Sequence, residues 1–90
     1  MTDLHIILEN FVPPEEVLTA FRWRLTSGGM SAGTIHLSAL QRDSDTAFIQ
    51  WTHQAERPVS ITCPKSDLGE VRSARAVGEA LLTQWRQRAT

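Results

Sequence analysis

Hydrophobic and polar residues along the chain predict four short β-strands. Residues 4–8 form an apolar run, and prolines at positions 13 and 14 limit it because proline cannot donate a ladder hydrogen bond. Residues 34–40, 47–53 and 59–63 alternate between apolar and polar side chains. Short polar turns separate these three stretches, which favours an antiparallel meander.

The last part of the chain has a period of 3.6 instead, which predicts a long helix. Ser66 or Asp67 is the expected N-cap, and Arg86 and Arg88 in the last turn suit the negative end of the helix dipole. The apolar positions of this pattern are Leu68, Val71, Ala74, Gly78, Leu81, Leu82, Trp85 and Ala89.

Residues 15–26 fit either a helix or a strand. A strand would alternate its side chains and place Trp23 on an inward face. A helix would gather its apolar residues on one face and turn Trp23 away from that face. Pro14, Glu15 and Glu16 form a typical helix start, so we predict a helix. We therefore expect Trp23 to be exposed, with Arg22 and Arg24 beside it. The segment that follows, residues 27–33, contains three glycines and predicts a flexible connection.

These elements follow one another in the order β-α-β-β-β-α. We expect one α+β domain over residues 1–90, with a single antiparallel sheet of three to four strands and two helices on one face. The composition fits this expectation: 41% of the residues are hydrophobic and 21% are charged, as in ordinary globular chains rather than disordered ones.

Without its first strand, this order resembles the double-stranded-RNA-binding fold. In that family the second helix opens with a lysine-rich cluster that binds phosphates. The corresponding residues here are 66–75, where Arg72 and Arg75 match the basic pattern and Asp67 and Glu70 depart from it. The resemblance is one of topology, and we assign no family from it.

The residue inventory argues against catalysis and against a metal or cofactor. Cys63 is the only cysteine, so it forms no internal disulfide, and we expect a small core residue rather than a reactive thiol. His36 and His53 could build a metal or acid–base site with Asp43 or Asp45, but the expected strand register does not bring them together. The glycine segment lacks the ending of a phosphate-binding loop. We expect neither enzyme activity nor a bound cofactor or metal ion.

Charge is distributed unevenly along a chain whose net charge is −1. Residues 1–56 contain seven acidic and three basic residues, whereas residues 57–90 contain three acidic and six basic ones. Three of the basic residues fall on one side of the last helix, where they form a stripe that suits phosphates or an acidic partner. The alternative is a solvated flank whose side-chain stems cover apolar surface. The candidate binding residues are therefore Arg22, Trp23, Arg24, Arg72, Arg75 and Arg86.

We expect a small non-enzymatic protein-binding module: an inhibitor, an immunity-type protein or an adaptor, of the kind that phages and bacteria encode. The alternative is an RNA- or DNA-contacting domain that uses the basic stripe. A third hypothesis, an enzyme or metal protein built on His36, His53 or Cys63, has the weakest support. A homodimer through Trp23 or an unpaired sheet edge is a further expectation. The chain shows no signal peptide or apolar membrane span, so we expect a cytoplasmic protein without membrane contact.

Overall fold

The computed structural model describes residues 4–30, 32–39 and 45–87. These residues form strands and two α-helices in the predicted order, and one short 3-10 helix, which the sequence did not predict, precedes the last helix. The elements are β1 (Leu4–Glu9), α1 (Glu15–Ser27), β2 (Gly33–Ala39), β3 (Thr46–Thr52), β4 (Val59–Pro64), the 3-10 helix (Lys65–Leu68) and α2 (Val71–Gln87). The predicted turn at residues 41–45 lies mostly outside the described part of the chain.

The four strands form one sheet in the order β1-β2-β3-β4. β2, β3 and β4 are antiparallel neighbours, as the short polar turns between them predict. β1, however, runs parallel to β2, so the sheet is mixed and not wholly antiparallel. The reason is that α1 lies between these two strands and carries the chain back across the sheet, so β2 starts at the same end as β1.

The core lies between one face of the sheet and the two helices. The register places apolar side chains in rows across all four strands, for example Leu8, Leu37, Ile49 and Ile61. Buried side chains of both helices, such as Phe21, Leu25, Leu81 and Leu82, belong to the same cluster. The opposite face of the sheet is mainly polar, with Thr34, His36, Gln50 and Ser60 among its residues, and it carries no described helix.

α1 confirms the helical interpretation of residues 15–26. Its first turn is anchored at Pro14, whose carbonyl accepts hydrogen bonds from the backbone N–H groups of Val17 and Leu18. The helix ends in a Schellman motif: Gly29 has a φ of 101°, and Met30 N–H donates to Leu25 O over 3.0 Å. Met30 is buried against the same core, so the glycine-rich connection is fixed at its start rather than free.

α2 begins later than the sequence pattern predicts. Neither Ser66 nor Asp67 caps it, because residues 65–68 form the separate 3-10 helix, which ends at Gly69. The α-helix starts at Val71, and Ala74 N–H donates to Glu70 O over 3.0 Å. The prediction also left out Val77, which is 5% exposed and part of the core. Ala89, the last residue of the predicted pattern, lies outside the described residues.

Candidate functional site

The two helices pack closely because α2 carries a glycine where α1 passes over it. A Cβ atom on Gly78 would lie 3.2 Å from Cγ and 3.3 Å from Cβ of Arg24. The stem of Arg24 therefore occupies the space that a larger side chain on α2 would need. This contact brings the solvent-facing side of α1 next to the solvent-facing side of α2.

Trp23 lies on that solvent-facing side of α1, as predicted. Its side chain is 59% exposed, which is unusual for an indole and confirms that it lies outside the core. The guanidinium carbon of Arg75, on α2, lies 5.8 Å from the centroid of the Trp23 ring, within the range of a cation–π interaction. The structure thus joins two residues that the sequence assigned to separate candidate surfaces.

A second set of contacts links the helices next to Trp23. The Arg24 guanidinium forms an ion pair with Glu79 on α2 and also donates to Ser27 Oγ over 3.2 Å. Glu79 also lies 3.9 Å from the Arg86 guanidinium. Arg86 in turn donates to the carbonyl of Gly28, at the end of α1, over 3.3 Å. These contacts fix the positions of Arg24 and Arg86 relative to Trp23.

Glu79 interrupts the predicted basic stripe of Arg72, Arg75 and Arg86. All three arginines are exposed, but Glu79 shares their side of α2 and lies between Arg75 and Arg86 along the chain. A helical wheel would have revealed it, since Glu79 follows Arg75 by four residues and therefore lies one turn further on the same side. The stripe divides into two parts: Arg72 with Arg75, whose guanidinium lies against Trp23, and Arg86, which is engaged with a carboxylate.

Arg22 belongs to a different part of the molecule. It lines a groove of about 300 Å³ between β1 and α1, together with Ile6, Leu8 and Leu18. The predicted triplet of Arg22, Trp23 and Arg24 is therefore separated, because neighbouring residues on a helix point about 100° apart. The site that the structure assembles, which we call the helix surface, consists of Trp23, Arg24, Arg72, Arg75, Glu79 and Arg86.

Cys63 has the environment of an unreactive thiol. It is half-buried near the end of β4, and burial, followed by the nearby negative charge of Asp67, raises its pKa to about 11. A cation beside the thiol would lower its pKa. The ammonium group of Lys65, two residues further along the chain, lies 5.8 Å from the ring centroid of Phe11 in a cation–π contact. A thiol with a raised pKa is protonated at neutral pH. Cys63 packs against the core but is only partly buried, so the expected core position is met in part.

The histidines are dispersed over the described part of the chain. His36 lies on the polar face of the sheet, and its Nε2 is 2.8 Å from a carboxylate oxygen of Glu9 on the neighbouring strand. His53 Nε2 lies 3.8 Å from Glu56, three residues further along the chain. Within residues 4–30, 32–39 and 45–87, no three His, Cys, Asp or Glu side chains come together as a metal site would require. Of the two aspartates considered as partners for the histidines, Asp43 lies outside these ranges and Asp45 lies within them.

Neither described helix combines the length and the apolar character that crossing a membrane would need. Comparison of the chain with protein-family models, with curated proteins and with solved structures found no match.

Proposed function

We propose that this chain is a non-enzymatic protein-binding module and that its partner docks on the helix surface. The observation that carries the proposal is the exposed indole of Trp23 with the Arg75 guanidinium beside it. Tryptophan and arginine are the residue types most enriched among those that dominate binding energy at protein interfaces. An inhibitor, an immunity-type protein or an adaptor would each use such a surface.

The charges of the helix surface favour an acidic partner. The helix surface contains four arginines and one carboxylate, that of Glu79, and Arg75 is the arginine that lies against the Trp23 ring. Glu79 is committed to Arg24 and Arg86, which leaves Arg72 and Arg75 to meet charges on the partner. Because a guanidinium binds carboxylates in a bidentate manner, acidic side chains around an apolar pocket would fit this surface.

The alternative partner is RNA or DNA, contacted through Arg72 and Arg75. Glu79 is unfavourable for that alternative, because it engages the guanidinium groups of Arg24 and Arg86 and leaves only Arg72 and Arg75 for phosphates. The two proposals differ in their salt dependence. Phosphate contacts release counterions and give a steep dependence of affinity on salt concentration, whereas one or two arginine–carboxylate contacts give a shallow one.

The test is to capture the partner from an extract of the source cells and then to measure its affinity for purified variants. We expect Trp23→Ala to weaken binding by about 2 kcal/mol or more, the size typical of a dominant interface residue. Val12→Ala is the matched control, because Val12 is 75% exposed but lies in the loop before α1. Equal affinity of the wild type and Trp23→Ala would refute docking through this surface.

The helix surface is a poor candidate for self-association. Two copies facing each other through it would bring together two surfaces that each carry four arginines and one glutamate, and like net charges repel. Of the two routes that the sequence suggested for a homodimer, the one through Trp23 is therefore disfavoured. The unpaired sheet edge is the route that remains.

A further inference from the structure

The edge strand β4 presents backbone groups that the described sheet does not use. Lys65 N–H donates to Asp45 O over 2.6 Å, in the register that places Thr46 opposite Pro64. Hydrogen-bonded and non-hydrogen-bonded residue pairs alternate in an antiparallel ladder. Val59, Ile61 and Cys63 therefore bond to β3, whereas the backbone N–H and C=O groups of Ser60 and Thr62 point away from it.

One proline stands at each end of this unpaired part of β4. Pro58 and Pro64 occupy the same alternating positions as Ser60 and Thr62, where the missing N–H removes no bond to β3. The usable edge thus spans residues 59–63, with Ile61 at its centre. Edge prolines hinder pairing with another strand, so any pairing here is limited to the residues between them, 59–63.

An apolar groove runs beside the same edge. It has a volume of about 350 Å³ and lies between β4 and α2, where Ile61 and Cys63 face Ala76, Val77 and Ala80. Ala76 and Ala80 are exposed on the side of α2 next to this groove. Asp67 and Gln84 also line the groove, so a further strand paired with β4 would place its inward side chains against a mainly apolar surface that includes polar groups.

We propose that a second copy of this chain pairs its β4 with this edge, antiparallel and centred on Ile61. In that register Ile61 faces Ile61 of the second copy, Val59 faces its Cys63, and Ser60 faces its Thr62. Every pair then matches apolar with apolar or hydroxyl with hydroxyl, and Pro58 lies opposite Pro64, where neither residue has an N–H group to leave unpaired. The sequence of residues 58–64 is in this sense complementary to itself.

The pairing also continues the two-layer architecture. The dimer axis would run perpendicular to the sheet, which gives an eight-stranded sheet with both pairs of helices on the same side. The small side chains of Ala76 and Ala80 allow the two copies of α2 to approach each other above the paired β4 strands. Both helix surfaces would face the same direction, so the dimer would present two Trp23 sites to one partner and bind it with avidity.

Sedimentation of three proteins tests the proposal. The wild type should show a reversible, concentration-dependent rise in mass from 10.1 kDa towards twice that value. Thr62→Pro removes one outward N–H without removing a bond to β3 and should leave a monomer over the same concentrations. Thr62→Ala, the matched control, retains the N–H and should dimerise like the wild type. A monomeric wild type, or dimerisation of Thr62→Pro equal to that of the wild type, would overturn the proposal.

Disulfide formation gives a second readout that does not need a proline in the strand. Non-hydrogen-bonded antiparallel pairs have Cα atoms about 4.5 Å apart, within the range of a disulfide. Ile61→Cys in a Cys63→Ser background should therefore cross-link rapidly under mild oxidation. Ile7→Cys in the same background is the control, because Ile7 is 52% exposed but lies on β1. Cross-linking of Ile61→Cys no faster than that of Ile7→Cys would contradict the register. Both tests leave the Trp23 proposal unaffected, since they do not change the helix surface.

Discussion

Gly33 shows how strongly a single residue constrains this fold. It starts β2 with a φ of 113°, a conformation that side chains with a Cβ atom rarely adopt. A Cβ atom there would lie 2.5 Å from Trp51 Nε1 and 2.8 Å from Thr52 O on β3. Trp51 Nε1 donates to the carbonyl of Ala32 over 3.0 Å, so the indole is held in place next to the glycine.

We expect Gly33→Ala to lower the free energy of unfolding by roughly 1–3 kcal/mol, the usual cost of a strained backbone conformation. Urea denaturation measures the change. Gly69→Ala is the control, because Gly69 has a negative φ of −99° and its Cβ would meet one atom at 3.3 Å. Equal losses in the two variants would show that the conformation of Gly33 is not the cause.

Cys63 should respond to pH in a defined direction. Its pKa in the folded protein is about 11, above the value of 9.0 for an unperturbed thiol. As the pH rises from 9 towards 11, the unfolded chain loses the thiol proton first, so this group destabilises the fold over that range and has no effect below it. Alkylation of the folded protein should be slow at pH 8. Asp67→Asn should speed it up, because removal of the negative charge lowers the pKa. An unchanged alkylation rate in Asp67→Asn would show that Asp67 does not influence the thiol.

At the scale of elements, α2 packs against the sheet through fully buried leucines and through one half-buried tryptophan. Leu81 and Leu82 are fully buried, whereas Trp85 is half-buried and packs edge-to-face on Trp51, with ring centroids 6.2 Å apart. The Trp85 ring also lies close to Gly29, at the end of α1. Trp85 thus connects the last turn of α2 to β3 and to the end of α1.

Trp85→Ala should cost about 3 kcal/mol, the lower end of the range for removing a large aromatic side chain, because Trp85 is only partly buried. Trp23→Ala is the comparison within the same chain. The Trp23 indole is mostly exposed, so the melting temperature of the Trp23→Ala variant should stay close to that of the wild type. Thermal unfolding followed by circular dichroism measures both variants. A large loss of stability in Trp23→Ala would show that the indole supports the fold rather than a partner.

At the scale of the whole molecule, the sheet has two edges and one open face, and its helices cover the other face. The proposed contacts divide between these parts: the helix surface binds the partner and the β4 edge binds a second copy. This division separates the two proposals experimentally, because Trp23 lies on α1 and Thr62 lies on β4. The double variant should lose partner binding and dimerisation together. Trp23→Ala alone should still dimerise, and Thr62→Pro alone should still bind the partner, with the lower affinity of a single site.

The sequence alone determined the features that depend on local periodicity. The period of two in residues 34–40, 47–53 and 59–63 predicts β2, β3 and β4, and Pro14 with its two following glutamates predicts the start of α1. The exposure of Trp23 follows from the same helical spacing, since its neighbours Val17, Phe21 and Leu25 define the buried side. Local patterns succeed here because each strand or helix has to bury one face.

Only the tertiary structure decided the features that depend on how these elements meet. The parallel pairing of β1 with β2 follows from the path of α1 across the sheet, which periodicity does not encode. The contact of Trp23 with Arg75 and the ion pairs of Glu79 depend on the close approach of two helices at Gly78. The register of β4 against β3 determines which backbone N–H and C=O groups of β4 point away from the sheet. These features arise between residues that are distant in sequence, and for this reason the local pattern of the sequence does not reveal them.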